Sequence, residues 1–110
     1  MKDFFGYTVR KNEDGGSDYY LHEYLVDGFN VKGDPSEGLY DMFELDKCPT
    51  KRQALNVVRL CKDKYDKIDI WDQWVQADLD HMGWPSIYST VKQKVSTYVK
   101  GKLVREEVLL

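Results

Sequence analysis

The side chains that could do chemistry are two histidines, two cysteines and many carboxylates, and they form no catalytic signature. Asp78, Asp80 and His81 make the one cluster of metal-binding residue types, since carboxylates and imidazole suit several divalent ions. At positions i, i+2 and i+3, however, they would not converge on one helix face. The pair Gly15–Gly16 lacks the spacing and the lysine of a phosphate-binding loop. The sequence therefore favours a non-catalytic protein without a metal or a cofactor.

Cys48 and Cys61 form no CxxC pair and have no histidine at metal-ligand spacing. We interpret them as two reduced thiols, which are typical of a reducing cytoplasm. The chain has no apolar run of about 18 residues, and its first residues do not resemble a secretory signal. These features predict a cytoplasmic protein that does not enter a membrane.

The net charge of −3 conceals an uneven distribution. Residues 1–46 hold four Lys or Arg against eleven Asp or Glu, a net −7, and residues 47–110 hold twelve against eight, a net +4. An acidic half attracts a basic partner and repels nucleic acid. Within residues 85–105 there are five cations and no acid.

Tyrosines lie among the carboxylates of the acidic half. Because tyrosine offers contact area at a small entropy cost, this combination is typical of a protein interface. Core packing is the alternative, since about half of the positions on a strand point inward. The candidate protein-binding residues are Tyr20, Glu23, Tyr24, Tyr40, Asp41 and Glu44.

The N-terminal half reads as strands. A two-residue alternation predicts a strand over 4–11, and the glycines of 12–17 predict a hairpin turn. Residues 18–26 favour a second strand, with a helix as the alternative because Tyr20, Leu21, Tyr24 and Leu25 also have helical spacing. Residues 39–45 favour a third strand, with a helix opening at Asp34–Pro35 as its alternative.

The best-defined element begins at Thr50, where Thr50 and Gln53 form a capping box. An apolar stripe at 3.6-residue spacing then predicts a helix over 51–65. Ile68 and Ile70 alternate and predict a strand over 67–71. We predict a short helix over 72–82 and a further helix from Ser86 to a stop at Gly101.

These elements predict a single α+β domain over 1–110. Its sheet would be small and mostly antiparallel, with about four strands, and two or three helices would pack on one face.

The C-terminal helix would present hydroxyls, an amide and lysines, which suit a DNA major groove. The run 84–91, followed by Lys100–Arg105, resembles the recognition helix and first wing strand of winged helix-turn-helix regulators. The resemblance implies a DNA-binding regulator that uses residues 86–105, with residues 72–82 as the helix before the turn. The implied nucleic-acid-binding residues are Ser89, Thr90, Lys92, Gln93, Lys94 and Lys100.

The sequence thus supports two hypotheses of function. The first is a non-catalytic binding protein, by class analogy a small acidic inhibitor or regulatory protein of the phage or mobile-element type. Its partner would be a protein with a basic surface. The second is the winged-helix DNA-binding regulator.

Overall fold

A long central strand organises the sheet of this chain. The computed structural model describes residues 2–4, 6–11, 19–78 and 86–110. Strand β3, Tyr19–Val31, pairs over residues 19–29 with β5, Lys67–Asp78, on one edge. On its other edge it pairs with two strands in turn. Residues 19–22 pair with β2, Tyr7–Lys11, and residues 24–31 pair with β4, Tyr40–Cys48.

The remaining strands extend this sheet outward. Every pairing is antiparallel, and in the described part of the chain the sheet has seven strands. The outer strands are β1, Lys2–Phe4, beyond β2, and then β6, Ser86–Val99, and β7, Lys102–Val108, beyond β5. Lys100 and Gly101 join β6 to β7 with φ of 51° and 81°, the left-handed conformation that a tight hairpin requires.

Helix α1, Lys51–Cys61, packs on one face of the sheet, which we call the helix face. The Thr50 hydroxyl accepts a hydrogen bond from the Gln53 amide at 3.3 Å, so the predicted N-cap is confirmed. The buried Ala54 and Val58 pack on the largest core cluster. The sheet residues of that cluster are Tyr24, Val26, Cys48, Ile68, Ile70 and Tyr98.

The opposite face, which we call the far face, holds a second and smaller core. Because side chains alternate along β3, Leu21 points away from the face of Tyr24 and Val26. It packs with Val9 of β2 and Val75 of β5, and all three are fully buried. The far face also carries polar residues of the candidate functional site.

The predicted fold class was wrong. Strands were expected at 18–26, 39–45 and 67–71, and each lies largely within β3, β4 or β5. However, residues 72–78 continue β5, and residues 86–99 form β6, where we predicted helices. The structure therefore has one α-helix in the described ranges, together with a single 3₁₀ turn at Pro35–Glu37. The expected arrangement of four strands and two or three helices does not occur.

The winged-helix resemblance fails for the same reason. Both segments that would form its helix-turn-helix lie in neighbouring strands of the sheet over the described residues. Gly101, which was expected to stop a helix, lies in a hairpin turn. The predicted turn at 12–17 lies outside the described residues, as do Asp80 and His81 of the metal-like cluster. No helix in the described ranges is long and apolar enough to cross a membrane.

Candidate functional site

The six candidate protein-binding residues are divided between the core and the surface. Tyr24 is buried under α1, and Glu23 is buried on the far face with 3% of its surface exposed. Tyr20 is half-buried on the helix face, at the end away from α1. Tyr40 and Glu44 are exposed on β4 and point to the far face, since they lie opposite Val31 and Asp27. Only these last two share a surface.

Successive side chains of β4 point to opposite faces of the sheet, and Asp41 is an example. Asp41 lies opposite Asn30 and therefore points to the helix face. It forms a long ion pair of 4.0 Å with Lys32, between side chains that are both more than half exposed. An exposed pair of this kind contributes little to stability.

The start of β4 carries exposed apolar side chains on both faces of the sheet, with Tyr40 and Met42 on the far face and Phe43 on the helix face. Leu39, Tyr40, Met42 and Phe43 are between 44% and 58% exposed. The ring of Tyr40 meets the ring of Phe29 edge-on at 6.3 Å, and Lys67 Nζ lies 4.4 Å from the Tyr40 ring centroid. We call these four residues together with Phe29 the β4 surface. Exposed apolar groups gathered at one strand of a sheet edge are typical of interaction sites.

Beside the β4 surface lies a cleft of about 400 Å³, which we call the acidic cleft. It opens where a bulge shifts the pairing of β3 with β4 between Val26 and Asp27. Three carboxylates and one lysine surround two leucines. The lining residues are Leu25, Asp27, Glu44, Leu45, Asp46 and Lys47.

Asp27 has the most perturbed environment of the carboxylates in the acidic cleft. Burial raises the pKa of Asp27, and the nearby charges of Glu44 and Asp69 raise it further. The nearby indole N–H of Trp71 offsets part of this rise in the pKa of Asp27. This N–H is buried and does not reach hydrogen-bond geometry with any described residue. A cation entering the cleft would relieve this repulsion.

A polar ladder crosses the far face next to the cleft. Lys47 Nζ lies 2.9 Å from Glu23 Oε2, and the Gln73 amide donates to Glu23 Oε1 at 2.6 Å. The Gln93 amide donates to Gln73 Oε1 at 2.9 Å. Four strands are thus joined through side chains. Glu23 is buried, with Oε1 hydrogen-bonded to Gln73 and Oε2 held by the Lys47 ion pair alone, and it is not available to a partner.

The predicted nucleic-acid-binding residues lie on a strand and a turn. Lys92 and Lys94 point to the helix face, while Thr90 and Gln93 point to the far face. Lys100 is exposed in the β6–β7 turn. The side chain of Ser89 lies outside the described set. The structure does not bring the five described side chains of this set together on one surface.

Sequence reasoning missed Asp27, Phe29, Met42, Asp46 and Lys47. Met42 sits between Tyr40 and Glu44 at the two-residue spacing of a strand, and this signal was present. Asp27 could not be found in this way, because its place in the cleft depends on the bulge in the β3–β4 pairing.

No protein-family model, curated protein or solved structure matches this chain. Within the described ranges, no three His, Cys, Asp or Glu side chains are placed to hold a metal ion. The functional argument therefore depends on the geometry of the β4 surface and the acidic cleft.

Proposed function

We propose that the protein is a non-catalytic binding protein that captures a protein partner through the β4 surface and the acidic cleft. The observation that carries the proposal is the set of exposed apolar side chains at positions 39, 40, 42 and 43, which lie on both faces of the sheet at the outer strand β4. Water-exposed apolar groups gain free energy when a partner covers them, and aromatic residues and methionine are enriched in interface cores.

The chemistry of the cleft favours a basic partner. An arginine or lysine of the partner would lay its aliphatic stem along Leu25 and Leu45 and direct its charge toward Asp27 and Glu44. Lys47 does not neutralise the cleft, because its ammonium is already paired with Glu23. Such a complex combines an apolar centre with complementary charge at its rim.

The backbone of β4 offers a second mode of recognition. Among the described strands, β4 pairs with β3 alone, so its other edge can accept an added strand. The exposed carboxylates along β4 would discourage pairing with another copy of the same acidic edge. We therefore expect an extended, basic and partly apolar segment of the partner to lie along this edge.

A protein of this kind acts by occupying a basic surface, as a small acidic inhibitor or regulatory protein does. We place it in the cytoplasm, because Cys48 and Cys61 are both free thiols.

The test compares two variants that change the surface in matched ways. The first is Met42→Ser/Glu44→Lys, which removes an apolar contact and reverses a cleft charge. The control is Leu60→Ser/Asp63→Lys, which makes the same changes at exposed positions in and just after α1. Both variants and the parent are immobilised, and the proteins they capture from cell lysate are compared quantitatively.

We expect at least one basic protein that the parent and the control capture and the first variant does not. With that partner purified, Glu44→Lys should slow association, and Met42→Ser should mainly speed dissociation. Equal capture by all three proteins would refute the proposal, as would a partner whose association is independent of salt.

A further inference from the structure

Cations and aromatic rings from four neighbouring strands meet at the end of the helix face away from α1. Arg10 of β2 lies opposite Tyr20 of β3. In the next row, His22 of β3 lies opposite Trp74 of β5, and Trp74 lies opposite Lys92 of β6. In an antiparallel sheet, residues that lie opposite each other point to the same face. Lys94 occupies the following row on that face, opposite Asp72.

The rings in this cluster are ordered by direct contacts. His22 stacks on Trp74, with ring centroids 4.3 Å apart and an angle of 18° between the planes. The guanidinium carbon of Arg10 lies 5.0 Å from the Trp74 centroid and 5.9 Å from the Tyr20 centroid. These distances are those of cation–π contacts, which hold the Arg10 charge at the surface in a fixed place.

The cluster holds three cations, Arg10, Lys92 and Lys94, beside one described acid on the same face, Asp72. Among the side chains that the structure describes, no carboxylate lies within ion-pairing distance of Arg10, Lys92 or Lys94. Asp72, the acid nearest in register, lies with its Oδ1 2.5 Å from His22 Nε2. Arg10 and Lys92 are exposed and Lys94 is half-exposed, so a ligand in solution can reach them.

We propose that this cluster, made of Arg10, Tyr20, Trp74, Lys92 and Lys94, binds single-stranded nucleic acid. Cations placed around aromatic rings are suited to a polyanion whose bases are free to stack. Phosphates would contact Arg10 and the two lysines, and a base would stack on Tyr20 or on the face of Trp74 that His22 does not cover. In a duplex the base faces are covered by neighbouring bases, so the rings would contribute nothing.

The exposed acids of the acidic cleft lie along the sheet from the Arg10 and Tyr20 end of the cluster. Asp46, the exposed cleft acid nearest to that end along β4, lies opposite Val26 and points to the same helix face. Val26 is six residues along β3 from Tyr20, which is roughly 20 Å at about 3.3 Å per residue. That separation exceeds two Debye lengths of about 8 Å at physiological ionic strength, so the repulsion between Asp46 and a phosphate at this end is largely screened. The proposal does not depend on the proposed protein partner.

Fluorescence anisotropy with a labelled single-stranded DNA of about 15 nucleotides, at about 50 mM salt, tests the proposal on the full chain. A duplex of the same length and sequence is the comparison. With three phosphate contacts, log Kd should change with log salt by about 2, since each contact to a single strand contributes about 0.7. Lys92→Gln/Lys94→Gln should reduce that dependence to about 0.7.

Two further proteins separate base stacking from attraction by charge alone. Trp74→Ala should weaken single-strand binding about tenfold while leaving the salt dependence unchanged. Lys51→Gln/Lys102→Gln removes two exposed lysines of α1 and β7 and should leave the affinity nearly unchanged. The lysine variants change exposed or half-exposed side chains, so they keep the test valid if Trp74→Ala does not fold.

The absence of binding at high protein concentration would overturn the proposal. Equal affinity for the single strand and the duplex would also overturn it, as would equal losses in the two lysine variants. A negative result would not count against the proposed function, because none of these substitutions lies on the β4 surface.

Discussion

A Cβ atom added to Gly28 would lie 2.7 Å from Cδ1 of Tyr65, so the tyrosine ring packs directly on the backbone of β3. Gly28 is buried within the strand, and Tyr65 lies in the segment between α1 and β5. The absence of a side chain at this position lets the ring close the end of the main core.

Gly28→Ala should therefore destabilise the protein. Alanine normally favours a strand over glycine, but the clash with the ring reverses the sign and costs about 1–3 kcal/mol. Urea unfolding followed by tryptophan fluorescence measures the change. In a Tyr65→Ala background the clash is gone, so adding Gly28→Ala should carry no such cost. An unchanged cost there would contradict the packing.

Val58→Asp should unfold much of the protein under native conditions. Val58 is 3% exposed and packs on the main core, so the substitution buries a charge without a partner. The cost is several kcal/mol, which is about the whole stability of a small domain. Leu60→Asp in the same helix is the control, since Leu60 is 74% exposed and should tolerate the charge. Equal thermal melting of the two variants would refute this orientation of α1.

Lys47→Met should cost about 2–4 kcal/mol, because it leaves the buried Glu23 carboxylate without its cation. Glu23→Gln should cost about 1 kcal/mol or less, since a glutamine oxygen can still accept from Gln73 and Lys47 is free to meet water. Chemical denaturation at neutral pH compares the two. The proposed ladder predicts this asymmetry, and similar losses in both variants would count against it.

Asp27→Asn should stabilise the protein at pH 7 while weakening partner capture. Burial raises the pKa of Asp27, so its ionisation lowers the free energy of unfolding as the pH rises through the folded pKa. The stabilisation should shrink as the pH is lowered toward the ordinary value of 3.8. Denaturation curves across this pH range measure it, with the exposed Asp63→Asn as the control. A variant less stable than the parent at pH 7 would contradict the burial.

The two thiols should differ in reactivity. Burial, and then the neighbouring Asp46, raises the pKa of Cys48 to about 11. At pH 8 a thiol reagent should modify Cys61, which is half-buried, before Cys48. Both should react after denaturation without a reductant.

As the pH rises from 9.0 toward 11, the folded protein should lose stability, because the unfolded chain releases the Cys48 proton first. Fewer than two thiols in denaturant would refute this assignment and the cytoplasmic proposal.

The sequence was sufficient where a local interaction decides the structure. Thr50 and Gln53 form the N-terminal cap within four residues, so the start of α1 could be predicted without knowing the fold. The strand around Ile68 and Ile70 was predicted from alternation, and both residues are buried on the helix face. The helix itself ends at Cys61, earlier than the predicted residue 65.

The local sequence pattern gave the wrong prediction for β6, where apolar residues recur four positions apart. A spacing of four is a multiple of the two-residue period of a strand, so Val91 and Val95 fit either structure. The β-branched residues of the segment favoured the strand. Tyr98, which seemed to complete a helical stripe with Val95, points to the other face of the sheet. Pairing with β5 on one edge and β7 on the other decided the outcome.

In the candidate site, too, some features follow from the local sequence and others only from the tertiary structure. By itself the sequence determined that the first half is acidic and rich in tyrosine, and that Tyr40 and Glu44 fall on one side of a strand. Only the tertiary structure decided that Glu23 and Tyr24 are buried, because that depends on which strands flank β3 and which face α1 covers. It also brought Arg10, Trp74 and Lys92 together, since cross-strand neighbours far apart in the chain are set by register and not by local propensity.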